Sequence, residues 1–268
     1  PARRKAAAQL VTEGVPVSLA HNALTDKTPD NASPYEHSMT TMEFPGSEDW
    51  RFDTIKVSPH GFAHSHIDAL CHRLKNGKLY NGYTATMLSD RGCAKLGINN
   101  LKDGIFTRGV LIDIPRLRGV PWLEPSETLY PKDLEAWEEH SGTKLSSGDV
   151  LLLRTGRWAR RASQGPWPAS EGGAGLHPSC AKWLRDREVA VIGSDLGSDV
   201  MPSGIEGEPY PMHLLLLVAM GMPILDNLDL EAVANKAASV KRWEFLFTAS
   251  PLPIEGGTSS PLNPTAIF

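Results

Sequence analysis

Thirteen residues, His60-Gly61-Phe62-Ala63-His64-Ser65-His66-Ile67-Asp68-Ala69-Leu70-Cys71-His72, hold four of the nine histidines of the chain together with an aspartate. In an extended strand alternate residues share a face, so His60, His64, His66 and Asp68 could all point to one spot. Imidazole nitrogens and a carboxylate oxygen that converge make the donor set preferred by Zn²⁺ or Mn²⁺, and nitrogen and oxygen donors suit both ions. A single histidine in a strand is more often a hydrogen-bonded surface or core residue than a ligand. Several imidazoles buried beside a carboxylate without a cation, however, would leave polar groups poorly satisfied, at about 1–3 kcal/mol each. A divalent metal ion removes that cost, and the stretch reads as a metal site.

Such a site needs elements to hold it. The chain has 268 residues, 41% of them hydrophobic and 22% charged, enough for one large globular domain. Residues 1–14 read as an amphipathic helical start and Val15–Leu19 as a short strand, whereas Asn22–Met39, which contains His37, reads as a loop. Trp50–Val57 alternates and reads as a strand feeding the histidine stretch, and Gly109–Ile114 and Val150–Arg154 read as apolar strands. Pro131–Glu139 opens like a helix, Pro178–Arg187 is helical by pattern, and Val189–Gly193 is the next strand. Residues 155–176 read as a long loop over the sheet with a lid role, and the basic cluster Arg157 to Arg161 as a solvated helix start or loop edge. His213–Met220 opens a short helix, Pro223–Leu225 is a strand, Leu228–Val233 a helical turn and Val240–Ala249 a last strand before an irregular tail. Strands alternating with helices and long loops make the expected class α/β, a single domain of residues 1–268 with a mixed β-sheet and flanking helices.

Composition excludes several partners. The formal net charge is −4 and no basic run appears, so neither nucleic acid nor an anionic membrane is expected as a partner. No apolar run approaches the roughly twenty residues of a membrane span. Cys71, Cys93 and Cys180 show no CxxC spacing and read as reduced thiols in a cytoplasmic protein, and no stretch reads as a signal peptide. No Gly-x-Ser-x-Gly elbow is present.

The segment His66-Ile67-Asp68-Ala69-Leu70-Cys71-His72 resembles the core of the cyclase family, metal-dependent hydrolases that include bacterial kynurenine formamidase and isatin hydrolase, whose pattern reads His-x-Gly-Thr-His-x-Asp-x-Pro-x-His. Gly148-Asp149-Val150 to Thr155-Gly156, Gly175-Leu176 through Trp183-Leu184 to Gly193-Ser194-Asp195, and His213 with Ile224-Leu225-Asp226-Asn227-Leu228 are similar to further family blocks in the same order, so the likeness spans roughly residues 50–230. By spacing from His66, the first family histidine falls on Phe62, its Gly and Thr on His64 and Ser65, and its Pro on Leu70. The missing nitrogen is assigned to His64, two residues from His66, with His60 as the alternative and a metal held by fewer protein ligands as the remaining one. Asp226 stands where family members carry Glu or Gln.

The resemblance implies a swivelling β/β/α-like fold, with His66 and Asp68 as direct metal ligands and His213 closing the site from a distant segment. It further implies Asp226 as an additional ligand or a partner of one, His72 as the catalytic proton shuttle, and a homodimer or homotetramer. The implied reaction is hydrolysis of a small amide, formamide, lactam or lactone by a metal-activated water. Two alternatives stand beside it: a biosynthetic cyclase or dehydratase using the metal as Lewis acid, and a non-catalytic metal or small-molecule binding protein. Tyr80, Asn81, Tyr83, Trp122, Trp158 and Trp167 are candidates to line the pocket of the small-molecule substrate.

Overall fold

In Val150–Arg154, Leu151 and Leu153 enter one apolar cluster while Val150 and Leu152 enter another, so this strand is covered on both faces as a continuous apolar run requires. A computed structural model describes all 268 residues. In chain order the strands are β1 (Pro16–Ser18), β2 (Glu36–Met42), β3 (Trp50–Lys56), β4 (His66–Asp68), β5 (Leu88–Ser89), β6 (Gly92–Cys93), β7 (Ile105–Asp113) and β8 (Thr128–Leu129). They continue with β9 (Val150–Arg154), β10 (Gly175–Leu176), β11 (Val191–Ser194), β12 (Ile224–Asp226), β13 (Glu244–Ala249), β14 (Ser259–Pro261) and β15 (Thr265–Ile267). The helices are α1 (Ala2–Ala8), α2 (Ile114–Arg118), α3 (Pro131–Ser141), α4 (Arg157–Gln164), α5 (Cys180–Asp186), α6 (Pro211–His213) and α7 (Glu231–Val240), with a π-helical stretch, Leu214–Met220, following α6.

Nine strands form one mixed sheet in the order β1-β15-β13-β7-β9-β11-β12-β4-β14. The central four, β7, β9, β11 and β12, run parallel, and every outer pairing is antiparallel. One face packs on α3, α5 and the π-helical stretch through Leu134, Trp137, Leu184 and Leu216. The other packs on α7 through Val233, Ala234 and Ala237, with Phe245 and Phe247. The α/β class with a mixed sheet and flanking helices is therefore as expected.

Several local expectations change. The Pro- and Ser-rich tail is not irregular: it supplies β14 and β15, and β14 flanks the histidine-bearing β4. Within residues 155–176, Arg157–Gln164 is a helix, and Arg157 at its start is buried rather than solvated. Trp50–Val57 does not feed the site. Its strand β3 pairs with β2 in a two-stranded ribbon whose fourteen paired residues are all exposed, and the ribbon includes His37, bonded to Asp53. Cys71 and Cys93 are joined in a disulfide, which leaves Cys180 alone as a free thiol. Their sequence separation of 22 carries no disulfide signature, so only the packing of the β5–β6 hairpin beside the His72 segment discloses the pair.

Candidate metal centre

Strand β4 is short, but it alternates as a strand must: Ile67 enters the core, while His66 and Asp68 share the opposite face. Register then brings a third group to them. Asp226 on β12 lies directly across from His66, and Ile224 across from Asp68. His213 reaches the same place from α6. Its Nε2 lies 3.3 Å from Asp226 Oδ2 and 3.7 Å from Asp68 Oδ2. His60 and His72 close the outer side, with His60 Nδ1 3.2 Å from Asp68 Oδ1 and His72 Nε2 3.6 Å from Asp68 Oδ2. Their rings stack at 3.9 Å.

Asp68 is thus the hub, 1% exposed, with four imidazole nitrogens 3.2–3.7 Å from its two oxygens. Neither of those oxygens accepts a hydrogen bond, and neither does Asp226 Oδ1, although all three are buried. Buried carboxylate oxygens without a partner are costly and demand an explanation. A divalent cation held by these oxygens and imidazoles supplies one, and the donor set fits such an ion. The groups His60–Asp68–His72 and His66–Asp68–Asp226 each bring their ligand atoms within 4.8 Å of one another.

His64 is not part of this arrangement. Residues 60–65 are not a strand, so alternation does not extend back from His66. His64 instead bonds its Nε2 to the Ser33 carbonyl and lines a different hollow beside His21 and Tyr35. His60, the alternative, is the histidine that stands beside Asp68. The loop is turned that way by buried polar groups. Asn227 donates to the carbonyls of Gly61 and His64, and Arg157 donates to the carbonyl of Phe62. Asp226, shorter than the family's Glu or Gln, still brings Oδ2 to 3.9 Å from His66 Nε2, because β12 is directly paired with β4.

Orientation of the inner histidines is fixed from behind. His66 Nδ1 bonds the His64 carbonyl at 2.8 Å, leaving Nε2 for the centre. His213 Nδ1 bonds Asp199 Oδ2 at 2.5 Å, and the same carboxylate accepts the backbone N–H groups of Met212 and His213. This carboxylate–histidine pair is the usual support of a ligating imidazole. Sequence reasoning missed Asp199; fourteen residues separate it from His213, so the only signal was an aspartate in a Gly-rich segment. Gly175 makes room for it, since a Cβ there would meet the Asp199 backbone at 2.4 Å. Asp195, from the similar Gly-Ser-Asp block, has a structural role. It is buried and accepts from the Thr155 hydroxyl and the backbone N–H groups of Thr155, Gly156 and Arg157, clamping β11 to the start of α4.

Burial alone would raise the Asp68 carboxyl, but His60 and His66 hold it well below the usual carboxylate range. Burial lowers the His66 and His213 imidazoles, yet the surrounding aspartates more than offset this and carry both above their ordinary value. His72 goes the other way. Burial pushes it down to about 4 despite Asp68, so it is neutral at pH 7 with a free acceptor capacity. The centre opens into a cavity of 340 Å³ whose walls are completed by Phe62, Arg73, Gly197, Met201 and Tyr210. None of the six Tyr, Asn and Trp candidates lines it, and Trp158 is buried with its indole N–H on the Leu228 carbonyl. A larger hollow of 710 Å³ beside Ala181, Arg185 and Leu215 contains no histidine or aspartate.

Comparison with known proteins decides the lineage. Residues 8–199 match the family model described as "Putative cyclase". The chain belongs to the cyclase family. An isatin hydrolase from Roseibium aggregatum is 26% identical over 211 residues, 76% of this cyclase-family chain and 70% of that protein. A crystal structure described as a novel cyclase superposes with a TM-score of 0.87 at 29% identity, covering 100% of this chain and 93% of the other. An isatin hydrolase bound to the product analogue thioisatinate shares the fold at TM-score 0.62 and 21% identity, covering 94% and 92%. The cyclase-family chain thus stands among enzymes, with a site suited to a divalent metal ion. No helix is long and apolar enough to cross a membrane.

Proposed function

We propose that the protein is a metal-dependent hydrolase that cleaves a small amide, formamide, lactam or lactone. The observation that carries this reading is the Asp68 carboxylate, buried, free of hydrogen bonds and ringed by four imidazoles at the base of a cavity sized for a small molecule. His66, Asp68, Asp226 and His213 would hold Zn²⁺ or Mn²⁺ on the inner side, with His60 toward the cavity. Such an ion supplies Lewis acidity and lowers the pKa of a coordinated water.

The remaining work falls to side chains of this chain. His72 is 31% exposed, more than Asp68, Asp226, His66 or His213, so it meets the substrate side of the centre. Neutral at pH 7, its imidazole takes the proton of the attacking water and returns it to the leaving nitrogen or oxygen. His60, stacked on the His72 ring and bonded through Nε2 to the Thr258 hydroxyl at 2.9 Å, holds that ring in place. Asp199 keeps His213 in one tautomer. Phe62, Met201 and Tyr210 exclude water and give an acyl or aryl group a surface to lie on.

The test is removal of metal by chelation followed by return of Zn²⁺ or Mn²⁺, with formanilide and isatin as substrates and mass analysis of products. Activity lost and regained, with a product heavier by one water, supports the reading; hydrolysis undiminished after complete chelation overturns it. A product lighter by one water would favour ring closure instead.

For assembly we propose the homodimer or homotetramer that the resemblance implies. Its support is the β2–β3 ribbon, which exposes Met39, Met42, Trp50, Phe52 and Ile55 although a two-stranded ribbon alone is marginal in water. A monomer by light scattering at micromolar concentration would overturn it. With Cys71 and Cys93 bonded, the thiol ground for a cytoplasmic location falls away, because such bonds persist in oxidising compartments.

A further inference from the structure

Arg73 follows His72 in the chain and lines the same cavity. Its guanidinium spends one of five N–H donors inside the protein: Nη2 bonds Glu208 Oε1 at 2.6 Å. Nε is buried without any partner, and Nη1 bonds nothing in the chain. Glu208 is itself shared, because Lys75 Nζ bonds its other oxygen at 2.8 Å. Two cations on one carboxylate leave a unit of positive charge at the mouth of the centre. The carboxylate is anchored, since Glu208 is 7% exposed and the Ser203 hydroxyl donates to its backbone carbonyl. A planar guanidinium with donors in reserve is the group suited to a carboxylate.

Resting on the hydrolase reading above, we infer that the substrate carries a carboxylate of its own, apart from the bond that is cleaved, and that Arg73 binds it. Adjacent Cα atoms lie 3.8 Å apart, so an anion on Arg73 stands within one small molecule's length of the bond served by His72. Glu208 is the positioning residue: it aims Arg73 without neutralising the pair of cations. Phe62 and Tyr210 accept the apolar body between the two ends.

The experiment compares substrates that differ only by a carboxylate, formanilide with 2-formamidobenzoate and isatin with its 5-carboxylate, using metal-loaded protein. Within each pair the anionic member should have the higher kcat/KM, mainly through KM. Arg73→Gln should lower the anionic-to-neutral ratio about 10- to 100-fold, as expected for a lost charged hydrogen bond. Arg73→Lys should restore part of it. Calorimetry reads the same preference without turnover: benzoate should bind more tightly than benzamide, and Arg73→Gln should abolish the difference. An unchanged ratio in Arg73→Gln overturns the inference, as does a kcat loss shared equally by both members of a pair, which would place Arg73 on the reacting carbonyl. Hydrolysis without preference for the anion sinks this inference alone; benzoate preference without any hydrolysis sinks the hydrolase reading and leaves Arg73 as an anion site.

Discussion

At the scale of single residues, chemistry depends on which side chains share a cation and which merely sit near in sequence. Asp68→Asn keeps the shape of the hub but removes its charge, and we expect metal content by mass spectrometry to fall by more than about 100-fold. His60→Ala should lose metal and activity together. His64→Ala should keep its metal and cost about 1 kcal/mol for the lost bond to Ser33, read as a shift in the unfolding midpoint. The opposite ranking of these two variants would contradict the arrangement. His66, Asp68 and His72 were legible because alternation and motif spacing are local, and both persist in β4 and the turn after it. The place of the first histidine was not, since Asn227 and Arg157, roughly 95 to 165 positions further on, turn the loop that sets His60 beside Asp68 and His64 away from it. Asp199→Asn leaves every ligand in place yet should reduce metal affinity or activity about 10- to 100-fold, the usual worth of such a support.

At the scale of elements, the site depends on segments that pack closely at the ends of the parallel strands. Gly175→Ala would drive a methyl into the Asp199 backbone, so β10 and the 196–199 turn must separate. We expect reduced metal affinity together with a lowered unfolding midpoint; a variant that melts and binds as the parent does would show the contact is slack. The Asp30 carboxylate ties the N-terminal loop to α4 through Arg157 and Arg161. Burial opposes its ionisation, but the bonds from Arg161 and Thr28 prevail and depress it below its ordinary 3.8. A depressed carboxyl contributes stability that is complete above 3.8 and disappears as pH falls through the lower folded value. Asp30→Asn should therefore be about 1–3 kcal/mol less stable at pH 7, with the gap closing in acid, by urea unfolding across pH. The parallel centre of the sheet was readable because runs such as Val150–Arg154 are apolar on both faces. Strands β14 and β15 were not, because three residues among prolines and serines owe their extension to pairing with β4 and β13 rather than to any pattern of their own.

At the scale of the whole molecule, the fold brings His66 and Asp68 of β4 together with His213 of α6 and Asp226 of β12, more than a hundred residues further along the chain, and leaves three of their carboxylate oxygens without a hydrogen bond. Because an ion binds the folded chain and finds no preformed site in the unfolded one, loading should stabilise it. At a hundredfold excess over Kd the gain is about 2.7 kcal/mol, a rise of roughly 5–10 °C in Tm for a chain of this size, measurable by calorimetry with and without chelator. Equal midpoints would mean that the buried aspartates are satisfied by something other than a cation. The most direct measurement is an anomalous difference map from crystals grown with Zn²⁺, collected on either side of the zinc edge. We expect a peak about 2.0–2.2 Å from His66 Nε2 and an Asp68 oxygen, with His213 and Asp226 on its inner side. A map without a peak there, or with its strongest peak beside His64, would contradict the metal centre and the reaction built on it.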